Sequence, residues 1–507
     1  MNNKVLIQPY RDISIKIYIL DYKYTVIDEL SGVAEDISFS NDSTSDIRRT
    51  ASISMVLDSG YTNTGVLNER YFSAGNGFWF DKYLRIDIGI ENEATGGEIE
   101  YVQQGTYLIN EPSVTYNATD NTVSFQAVDL MSKLTGMRSG NMQGIAYEVP
   151  AGSIISDVIA STLREQGFYN FVLGQPEEPT VPYDIKIESG GTSYDLLSQL
   201  RDINPNWEIF FDVDGTFVFQ KIPSGEIIDG VPEYSPTVVA DDDVWDRLLI
   251  DYNLSTSFEQ VKNYIEVYGK TIESDDIAEN VTVDTTNRSV SMTCSTAKKS
   301  DEYYKYVLFT IGDTTQDRVE FTNSLQTLTI TDGENVTTTV DCTPNIWYNN
   351  MTYVVRVGMD VVEYLGYQQP CAVAWENNDS SPFYVGDTIE LGAESYTTPT
   401  DKIIDGRPFS NIVRVVMSGG EYDNIYSNQL AIDRAVYELY QQCRLHDQLD
   451  ITCVPIYSLD SNQIISMTLP NEDELSYWII KSVNTDFSVT GTQTINAMRY
   501  YAEYPSN

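Results

Sequence analysis

The chain has 507 residues, 75 acidic against 31 basic side chains and a formal net charge of -44. Phosphate groups are bound by clustered Lys and Arg, so this charge excludes a protein that holds nucleic acid or an anionic membrane surface. With 41% hydrophobic and 12% aromatic residues the chain has the apolar content needed to fold. Its length predicts roughly two to four domains.

The N-terminal segment and the cysteines indicate where the chain is made. Its apolar N-terminal stretch is interrupted by Lys4, Arg11 and Lys16, so we expect no signal peptide. No run reaches about 18 uncharged apolar residues, which predicts no membrane-spanning helix. The five cysteines are scattered and odd in number, which is not typical of a disulfide framework. Together these features predict synthesis in a reducing cytoplasm.

Residues 1–145 predict a first β-barrel domain. Short segments alternate apolar and polar residues and are separated by Gly, Asn and Asp, as expected for strands. These segments are SIKIYIL, TASISMVLD, YLRIDIGI, GTYLIN and NTVSFQAVDL. The block closes on VDLMSKLTG, which predicts one short helical turn.

Residues 146–235 predict a small α+β domain. The first helix lies in PAGSIISDVIASTLREQG, with Ser153 as N-cap and Gly167 as the stop. The second helix lies in GGTSYDLLSQLRD, where Thr192 and Asp195 have capping-box spacing.

Residues 236–271 and 401–507 predict a second β-barrel domain, and the two strand-rich blocks are candidates for distant copies of one barrel. A helix is predicted over residues 428–446, because apolar side chains recur at i, i+3, i+4 and i+7. Those side chains are Ile432, Ala435, Val436, Leu439 and Cys443. Residues 272–400, rich in Thr, Asn and Asp, predict an inserted β-rich domain.

The stretch NPNWEIFFDVDGTFVFQKIP, residues 204–223, has two interpretations. An apolar run into Asp-x-Asp-Gly-Thr is typical of Mg²⁺-dependent phosphatases of the haloacid dehalogenase type, with Asp212 as nucleophile and Asp214 moving a proton. That chemistry requires a central parallel strand and further Asp residues downstream. The Pro- and Gly-rich sequence that follows leaves little room for them.

The other interpretation is a β-hairpin with Asp214 and Gly215 at the centre of a type I′ turn. In that register Phe211 lies opposite Val218, and Glu208 lies opposite Lys221. The hairpin explains these residue types without catalysis. We therefore predict the hairpin, and the phosphatase at Asp212 and Asp214 is the alternative.

Two further motifs suggest chemistry but lack necessary parts. The Asp-Ser-Gly at residues 58–60 matches an aspartic-protease elbow, yet no second matching triplet is present. The single histidine, His446, lies near Cys443 and Cys453, whereas a structural zinc site needs four ligands. Neither motif predicts a site.

Acidic runs occur at residues 240–246 (ADDDVWD) and 471–474 (NEDE). Neither has the spacing of an EF-hand, and we expect the first to be a solvated loop or a weak cation site. No catalytic, cofactor-binding or metal-ligating residue is predicted.

The order of the segments, more than any one motif, suggests a family. A strand-rich barrel is followed by GTYLINEPSVTYNATDNTVSFQAVDLMSKL, YEVPAGSIISDVIASTL, ESGGTSYDLLSQLRDINPNWEIFFDVDGTFVFQKIP and SFEQVKNYIEVYGK. The closing EYDNIYSNQLAIDRAVYELYQQCRLHDQLDITCVPI fits the same pattern. This order resembles the baseplate hub and tail-tip hub proteins of tailed bacteriophages and related contractile tail-like particles.

The resemblance implies a mainly β fold, with two hub-type β-barrels, a small α+β domain between them and an additional β domain. It implies a structural, non-enzymatic virion component at the tail tip, assembled in the bacterial host cytoplasm. Such hubs form a homotrimeric ring that continues the tail tube, and DNA passes through it without specific binding.

The same resemblance implies the partners: a distal tail or tube protein, a tape measure protein, and a fibre or spike protein. Part of the net negative charge is expected to line the channel. An alternative function is a tail adhesin that binds carbohydrate through residues 272–400.

Overall fold

The computed structural model describes the chain in segments, and the strands between residues 272 and 409 are described by their backbone. The described residues are 5, 8, 11–30, 32–57, 82–92, 95–116, 121–142, 146–225, 237–257, 259, 261–262, 264–269, 272–273, 278–284, 289–294, 304–310, 327–331, 337–341, 346–349, 352–357, 366–369, 371–375, 384–391, 394–400, 402–404, 407–409, 414–425, 428–443, 446–469, 474–488 and 490–501.

Strands dominate the chain, and four α-helices are present in the described residues. The strands are β1 (Ile13–Leu20), β2 (Val26–Glu29), β3 (Gly32–Asp42), β4 (Arg49–Leu57), β5 (Tyr83–Asn92), β6 (Glu98–Tyr116), β7 (Asn121–Asp129), β8 (Tyr147–Val149), β9 (Phe171–Leu173), β10 (Ile185–Ile187), β11 (Trp207–Phe211), β12 (Phe217–Lys221), β13 (Leu249–Ser257), β14 (Tyr264–Tyr268), β15 (Ile272–Glu273), β16 (Ala278–Asp284), β17 (Ser289–Cys294), β18 (Tyr304–Thr310), β19 (Thr327–Thr331), β20 (Thr337–Asp341), β21 (Ile346–Asn349), β22 (Thr352–Val357), β23 (Gly366–Gln369), β24 (Cys371–Trp375), β25 (Tyr384–Leu391), β26 (Glu394–Thr400), β27 (Lys402–Ile404), β28 (Arg407–Phe409), β29 (Arg414–Met417), β30 (His446–Cys453), β31 (Ile464–Thr468), β32 (Leu475–Asp486) and β33 (Gln493–Tyr500). The helices are α1 (Ile155–Glu165), α2 (Ser193–Asp202), α3 (Asp242–Leu248) and α4 (Asn428–Gln442), with short 3-10 helices at Leu130–Lys133 and Gly420–Asn424.

The chain divides into two compact units. The first contains residues 1–201, 206–258 and 446–503, and the second contains residues 202–205, 259–445 and 504–507. The prediction of a mainly β chain with a small α+β module is confirmed. The predicted domain boundaries stay a prediction. No helix among the described residues is long and apolar enough to cross a bilayer.

A 12-stranded antiparallel sheet forms most of the first unit. Its order is β13-β30-β33-β32-β3-β4-β7-β6-β5-β1-β2, and β31 pairs with β32. We call β1–β7 the first lobe, and β13 with β30–β33 the second lobe. The lobes are joined where β3 pairs with β32 over five residue pairs, from Ser38 opposite Asp486 to Asp42 opposite Ser482.

The two lobes have the same strand order. In the first lobe, β3 pairs with β4, β4 with β7, β7 with β6, and β6 with β5. In the second lobe, β13 pairs with β30, β30 with β33, β33 with β32, and β32 with β31. This shared connectivity supports the interpretation of the two strand-rich blocks as copies of one barrel.

One apolar core lies against both lobes. It includes Ile37 and Phe125 of the first lobe together with Leu449 and Ile495 of the second, all nearly inaccessible to solvent. Helix α3 adds Val244 and Trp245 to the same cluster, and the indole N–H of Trp245 donates to the Ser466 carbonyl at 2.9 Å. The two lobes are therefore held together by a common core as well as by strand pairing.

The α+β module follows the first lobe in sequence. Its second helix is capped as predicted: the N–H of Asp195 donates to the Thr192 hydroxyl at 3.1 Å, and the N–H of Thr192 donates to the Asp195 carboxylate at 2.7 Å. Its first helix ends before Gly167, which has a φ of 85° as a C-terminal stop requires. The prediction that Ser153 caps this helix is wrong, because its hydroxyl donates to the Pro150 carbonyl.

The hairpin predicted within residues 204–223 is present over residues 207–221, but its register differs from the prediction by one residue. Phe211 lies opposite Phe217, and Glu208 lies opposite Gln220. The N–H of Gly215 donates to the Asp212 carbonyl at 3.0 Å, which makes Val213 and Asp214 the centre of the turn. Gly215 then forms a bulge with a φ of 83°. A three-residue loop of this kind is a common alternative to the type I′ turn.

The second unit contains helix α4 and strands β14–β29. Strand β14 pairs with β29 in parallel and with β24 in antiparallel orientation. Helix α4 packs on this sheet, as its buried Ala435 and Leu439 belong to one cluster with Ile265 and Val267. The predicted helix is therefore present with its apolar face docked. The other sheets of this unit are β15-β23-β18-β22-β21, β16-β17-β19-β20, β25-β26 and β27-β28.

Gly215→Val tests the turn geometry. A β-branched residue is disfavoured at positive φ, so we expect a loss of about 1–2 kcal/mol or more in the free energy of unfolding. Gly215→Asn is the matched control, because it also adds a Cβ near Leu130 but tolerates the left-handed region. Urea unfolding measures both variants. Equal stability of the Val and Asn variants would contradict the assigned turn.

Candidate functional site

A group of buried charges in the first unit lies where three segments of the chain meet. We call it the charged junction. Its residues are Arg48, Arg49 and Asp129 of the first lobe, Glu208 and Phe211 of the hairpin, and Asp460 and Asn462 of the loop before β31.

Arg48 and Glu208 form an ion pair that is almost fully buried. Asn462 also binds the Glu208 carboxylate, because its side-chain amide donates to Oε2 of Glu208 at 2.6 Å. Gln220 donates to Oε1 at 2.9 Å. The Arg48 guanidinium also lies 3.9 Å from the centroid of the Phe210 ring. Both carboxylate oxygens are therefore satisfied, as a buried charge requires.

Arg49 connects all three segments. Its guanidinium donates to the Phe211 carbonyl and to the Asp460 carboxylate, and its backbone N–H donates to Asp129 at 2.9 Å. Burial by itself lowers the pKa of this guanidinium, but the charge of Asp460 in particular raises the pKa above its ordinary value. Arg49 thus remains charged in the interior and fixes the hairpin relative to both lobes.

Asp129 lies at the end of β7, directly before the predicted helical turn. Its carboxylate accepts the N–H of Arg49 and the N–H of Met131, the latter at 2.9 Å, so it caps the 3-10 helix. Burial raises the pKa of Asp129 to about 6, although these two N–H donors and the charges of Arg49 and Arg48 oppose the shift. At neutral pH this carboxyl group is therefore closer to its pKa than the carboxyl group of an exposed Asp is.

A polar cavity of about 240 Å³ borders the junction. Gln103, Gln104 and Gln493 line it, and each donates a side-chain hydrogen bond to a neighbouring protein atom. Tyr107 also lines the cavity, and burial raises the pKa of its hydroxyl. The three glutamines donate to the Val213 carbonyl, the Tyr457 carbonyl and the Thr485 hydroxyl, so they connect the strands and loops around the cavity.

Asp212 and Asp214 have roles within the hairpin turn. A carboxylate oxygen of Asp212 accepts the N–H of Val213 at 2.6 Å, and one of Asp214 accepts the N–H of Thr216 at 3.0 Å. Strand β11 pairs in antiparallel orientation with β12, so Asp212 does not end a central parallel strand. Within the described part of the chain, no three His, Cys, Asp or Glu residues are placed to hold a metal ion.

The remaining candidate residues are dispersed. His446 is the first residue of β30 and pairs with Ser257, so the prediction that it ends the helix is wrong; helix α4 ends at Gln442. Cys443 is buried in the second unit. Cys453 is buried in the first unit, where burial raises the pKa of its thiol to about 12. Residues 58–60 lie outside the described residues.

The acidic run at residues 240–246 is not a loop, contrary to the prediction. Residues 242–246 form the first part of α3, and Asp241 precedes the helix as its N-cap residue. The Asp242 carboxylate accepts both the N–H and the hydroxyl of Thr468 at 2.8 Å. The reason is that Val244 and Trp245 supply an apolar side that packs into the core. Of the second acidic run, residues 471–473 lie outside the described residues.

Sequence reasoning missed the charged junction. Adjacent Arg48 and Arg49 at the start of a strand were a signal, because bases are scarce in this chain. Their partners are 160 and 411 residues away, at Glu208 and Asp460. No local pattern connects residues at such separations.

Comparison with known proteins finds one family model and several similar solved structures. A family described as a domain of unknown function (DUF5048) matches residues 408–504. No curated protein matches the chain. The chain is similar to the 43 kDa tail protein of prophage MuSo2 from Shewanella oneidensis, with 10% identity, a TM-score of 0.48, and coverage of 96% of this chain and 98% of that chain.

Two other solved structures are similar over nearly the whole chain. The tail protein from Neisseria meningitidis MC58 has 9% identity and a TM-score of 0.45, covering 97% of this chain and 98% of that chain. Prophage tail protein gp18 from Listeria monocytogenes has 9% identity and a TM-score of 0.40, covering 95% and 94%. The chain thus resembles phage tail proteins.

Arg49→Met tests the junction. The substitution leaves the Asp460 carboxylate and the Phe211 carbonyl without their buried donor, so we expect a loss of about 3–5 kcal/mol in the free energy of unfolding. Lys186→Met is the control, because the ion pair of Lys186 with Glu188 is largely exposed and is worth about 0.5 kcal/mol or less. Urea unfolding compares the two. A similar small loss in both variants would contradict the structural role of Arg49.

Asp129→Asn tests the raised pKa. The folded-state pKa of about 6 exceeds the ordinary value of 3.8. Protonation of Asp129 therefore stabilises the folded state. This contribution to the free energy of unfolding is fully present below the ordinary pKa and is lost as the pH rises through about 6. Relative to Asp129→Asn, the wild type should gain about 1 kcal/mol of stability from about pH 7 to about pH 5. Urea unfolding at both pH values measures this, and a constant difference would exclude it.

Proposed function

We propose that this chain is a structural, non-enzymatic hub at the distal end of a bacteriophage tail. Three copies form a ring that continues the tail tube and leaves a channel through which DNA passes. The observation that carries the proposal is the pair of lobes with one strand order, joined by β3 and β32 in a single sheet. Three such chains supply six similar lobes, which matches a tube built from hexameric rings to a tip of threefold symmetry.

The charge distribution supports a channel that does not retain DNA. Strands β13 and β30 contain no Lys or Arg, and Asp251 and Asp450 on them are exposed. Exposed carboxylates repel the phosphate backbone and give it no cation to bind. A wall with this composition lets the genome slide during ejection.

The proposed neighbours follow from the position of a hub. A tube or distal tail protein lies above the ring, a tape measure protein lies inside it, and a fibre or spike protein lies below. The second unit, with its many small sheets, adds surface for contacts to neighbouring tail proteins. The charged junction fixes the α+β module to both lobes, which gives the ring a rigid wall against which these partners assemble.

Copy number in the particle tests the proposal. Tails purified from particles assembled with this chain should contain three copies of it for every six copies in a tube ring, because each chain supplies two lobes. Quantitative mass spectrometry with labelled peptides measures the ratio. Six copies per tube ring, or absence of the chain from purified tails, would exclude the proposed ring of three.

A further inference from the structure

One exposed surface of the first unit combines large apolar side chains with basic ones. Tyr22, Met137 and Tyr169 are 73%, 55% and 74% accessible, which is unusually high for side chains of this size. Lys133 and Arg138 lie in the same region. We call these five residues the basic aromatic patch. Exposed aromatic and Met side chains together with an arginine are typical of surfaces that bind another protein.

The turn between β1 and β2 contributes Tyr22 to the patch. A carboxylate oxygen of Asp21 accepts the N–H of Thr25 at 2.9 Å, which closes the turn on itself. The ring of Tyr24 in the same turn lies 5.1 Å from the ring of Tyr83, at the start of β5. Tyr22 therefore extends from a turn that two contacts hold in place.

Lys133 connects this turn to the rest of the patch. Its ammonium group donates to the Tyr83 hydroxyl at 2.9 Å. The same group lies 5.0 Å from the centroid of the Phe168 ring, and Phe168 directly precedes Tyr169. The N–H of Arg138 donates at 2.9 Å to the carbonyl of the residue before Lys133, so the loop that follows the 3-10 helix folds back beside it. The members of the patch therefore belong to one surface.

The two bases of the patch have no carboxylate partner within the described residues. Lys133 donates to a neutral phenol and otherwise contacts aromatic rings. The side chain of Arg138 makes neither a hydrogen bond nor an ion pair in this part of the chain, and its buried Nε has no acceptor there. Burial alone lowers the pKa of this guanidinium. Because the chain has 75 acidic residues against 31 basic ones, two neighbouring bases without an acidic partner indicate a partner outside the chain.

We propose that the basic aromatic patch is a docking surface for an acidic segment of another tail protein. The planar guanidinium of Arg138 fits a carboxylate through two parallel hydrogen bonds, and the Lys133 ammonium has further N–H donors. Tyr22, Met137 and Tyr169 supply the apolar surface that is buried around these contacts. Binding also gives the buried Nε of Arg138 an acceptor.

Charge favours a protein over a nucleic acid as the occupant. A nucleic acid requires a series of basic groups along its backbone, and the patch has two adjacent ones. The net charge of -44 also opposes the approach of a long polyanion. A short acidic segment requires only the local cations, because salt screens exposed charges beyond about 8–10 Å. This inference rests on the proposed function, since it assigns the patch to a contact within the tail.

Carbodiimide cross-linking of purified tails tests the proposal. This reagent joins an amine to a carboxylate only where the two groups are in contact, and mass spectrometry identifies the joined peptides. We expect Lys133 to be joined to an Asp or Glu of another protein. The positive control is Lys186, whose ammonium lies 3.4 Å from Oε1 of Glu188 in the same chain.

Three results would overturn the docking surface. The first is the absence of a Lys133 product while the product of Lys186 with Glu188 forms. The second is a Lys133 product with a second copy of this chain, which would make the patch a contact between copies. The third is a nucleotide joined to Lys133, which would make nucleic acid the occupant.

Arg138→Glu gives an independent measurement. Since the Arg138 side chain has no partner among the described residues to lose, the urea concentration at the unfolding midpoint should stay the same. The copy number of the variant per tail should fall about tenfold or more, because the docked carboxylates are then repelled. Arg138→Gln removes the charge without adding a carboxylate, and should show the same loss if the Glu variant disturbs the fold.

The matched control is Lys186→Glu, which makes the same charge change at an exposed position and should be incorporated as the wild type is. Normal incorporation of both Arg138 variants contradicts the docking surface and leaves the hub intact. Absence of the wild-type chain from purified tails contradicts the proposed function itself, so the two proposals fail separately.

Discussion

The pairing of β3 with β32 is the contact on which the first unit depends. It joins strands that are more than 400 residues apart in sequence, at Ser38 and Asp486, and places both lobes over one core. Hydrogen bonds in the ladder set direction and register, whereas the buried Ile, Leu and Val side chains of the shared core supply most of the stabilisation, at about 25 cal/mol per Å² of apolar surface. Neither lobe buries the shared surface alone.

The charged junction lies beside this pairing and performs a different task. Ion pairs inside proteins add little net stability, because desolvation offsets much of their attraction. They do impose geometry: Arg49 satisfies its donors only if the Phe211 carbonyl and the Asp460 carboxylate occupy their observed positions. The apolar core thus stabilises the assembly of segments, and the arginines select one arrangement of the hairpin against the two lobes.

Sequence patterns predicted local structure well and long-range structure poorly. The capping box at Thr192 and the docked face of α4 depend on neighbours within one or two turns, so their patterns were sufficient. The hairpin was also predictable, but its register was not, because an Asp-Gly pair is compatible with two turns that differ by one residue. Helix α4 ends before His446 because that residue pairs with Ser257, a contact that periodicity along the helix does not contain.

The connection between β13 and β30 has a consequence for the evolution of such chains. In the first lobe the equivalent connection is the short turn of residues 43–48, while in the second lobe it holds residues 259–445 of the second unit. Ser257 and His446, where the unit departs and returns, are directly opposed neighbours in the ladder. An accessory domain can therefore be exchanged or removed at this turn as a cassette, with the remaining strands closing over a tight loop and keeping their register.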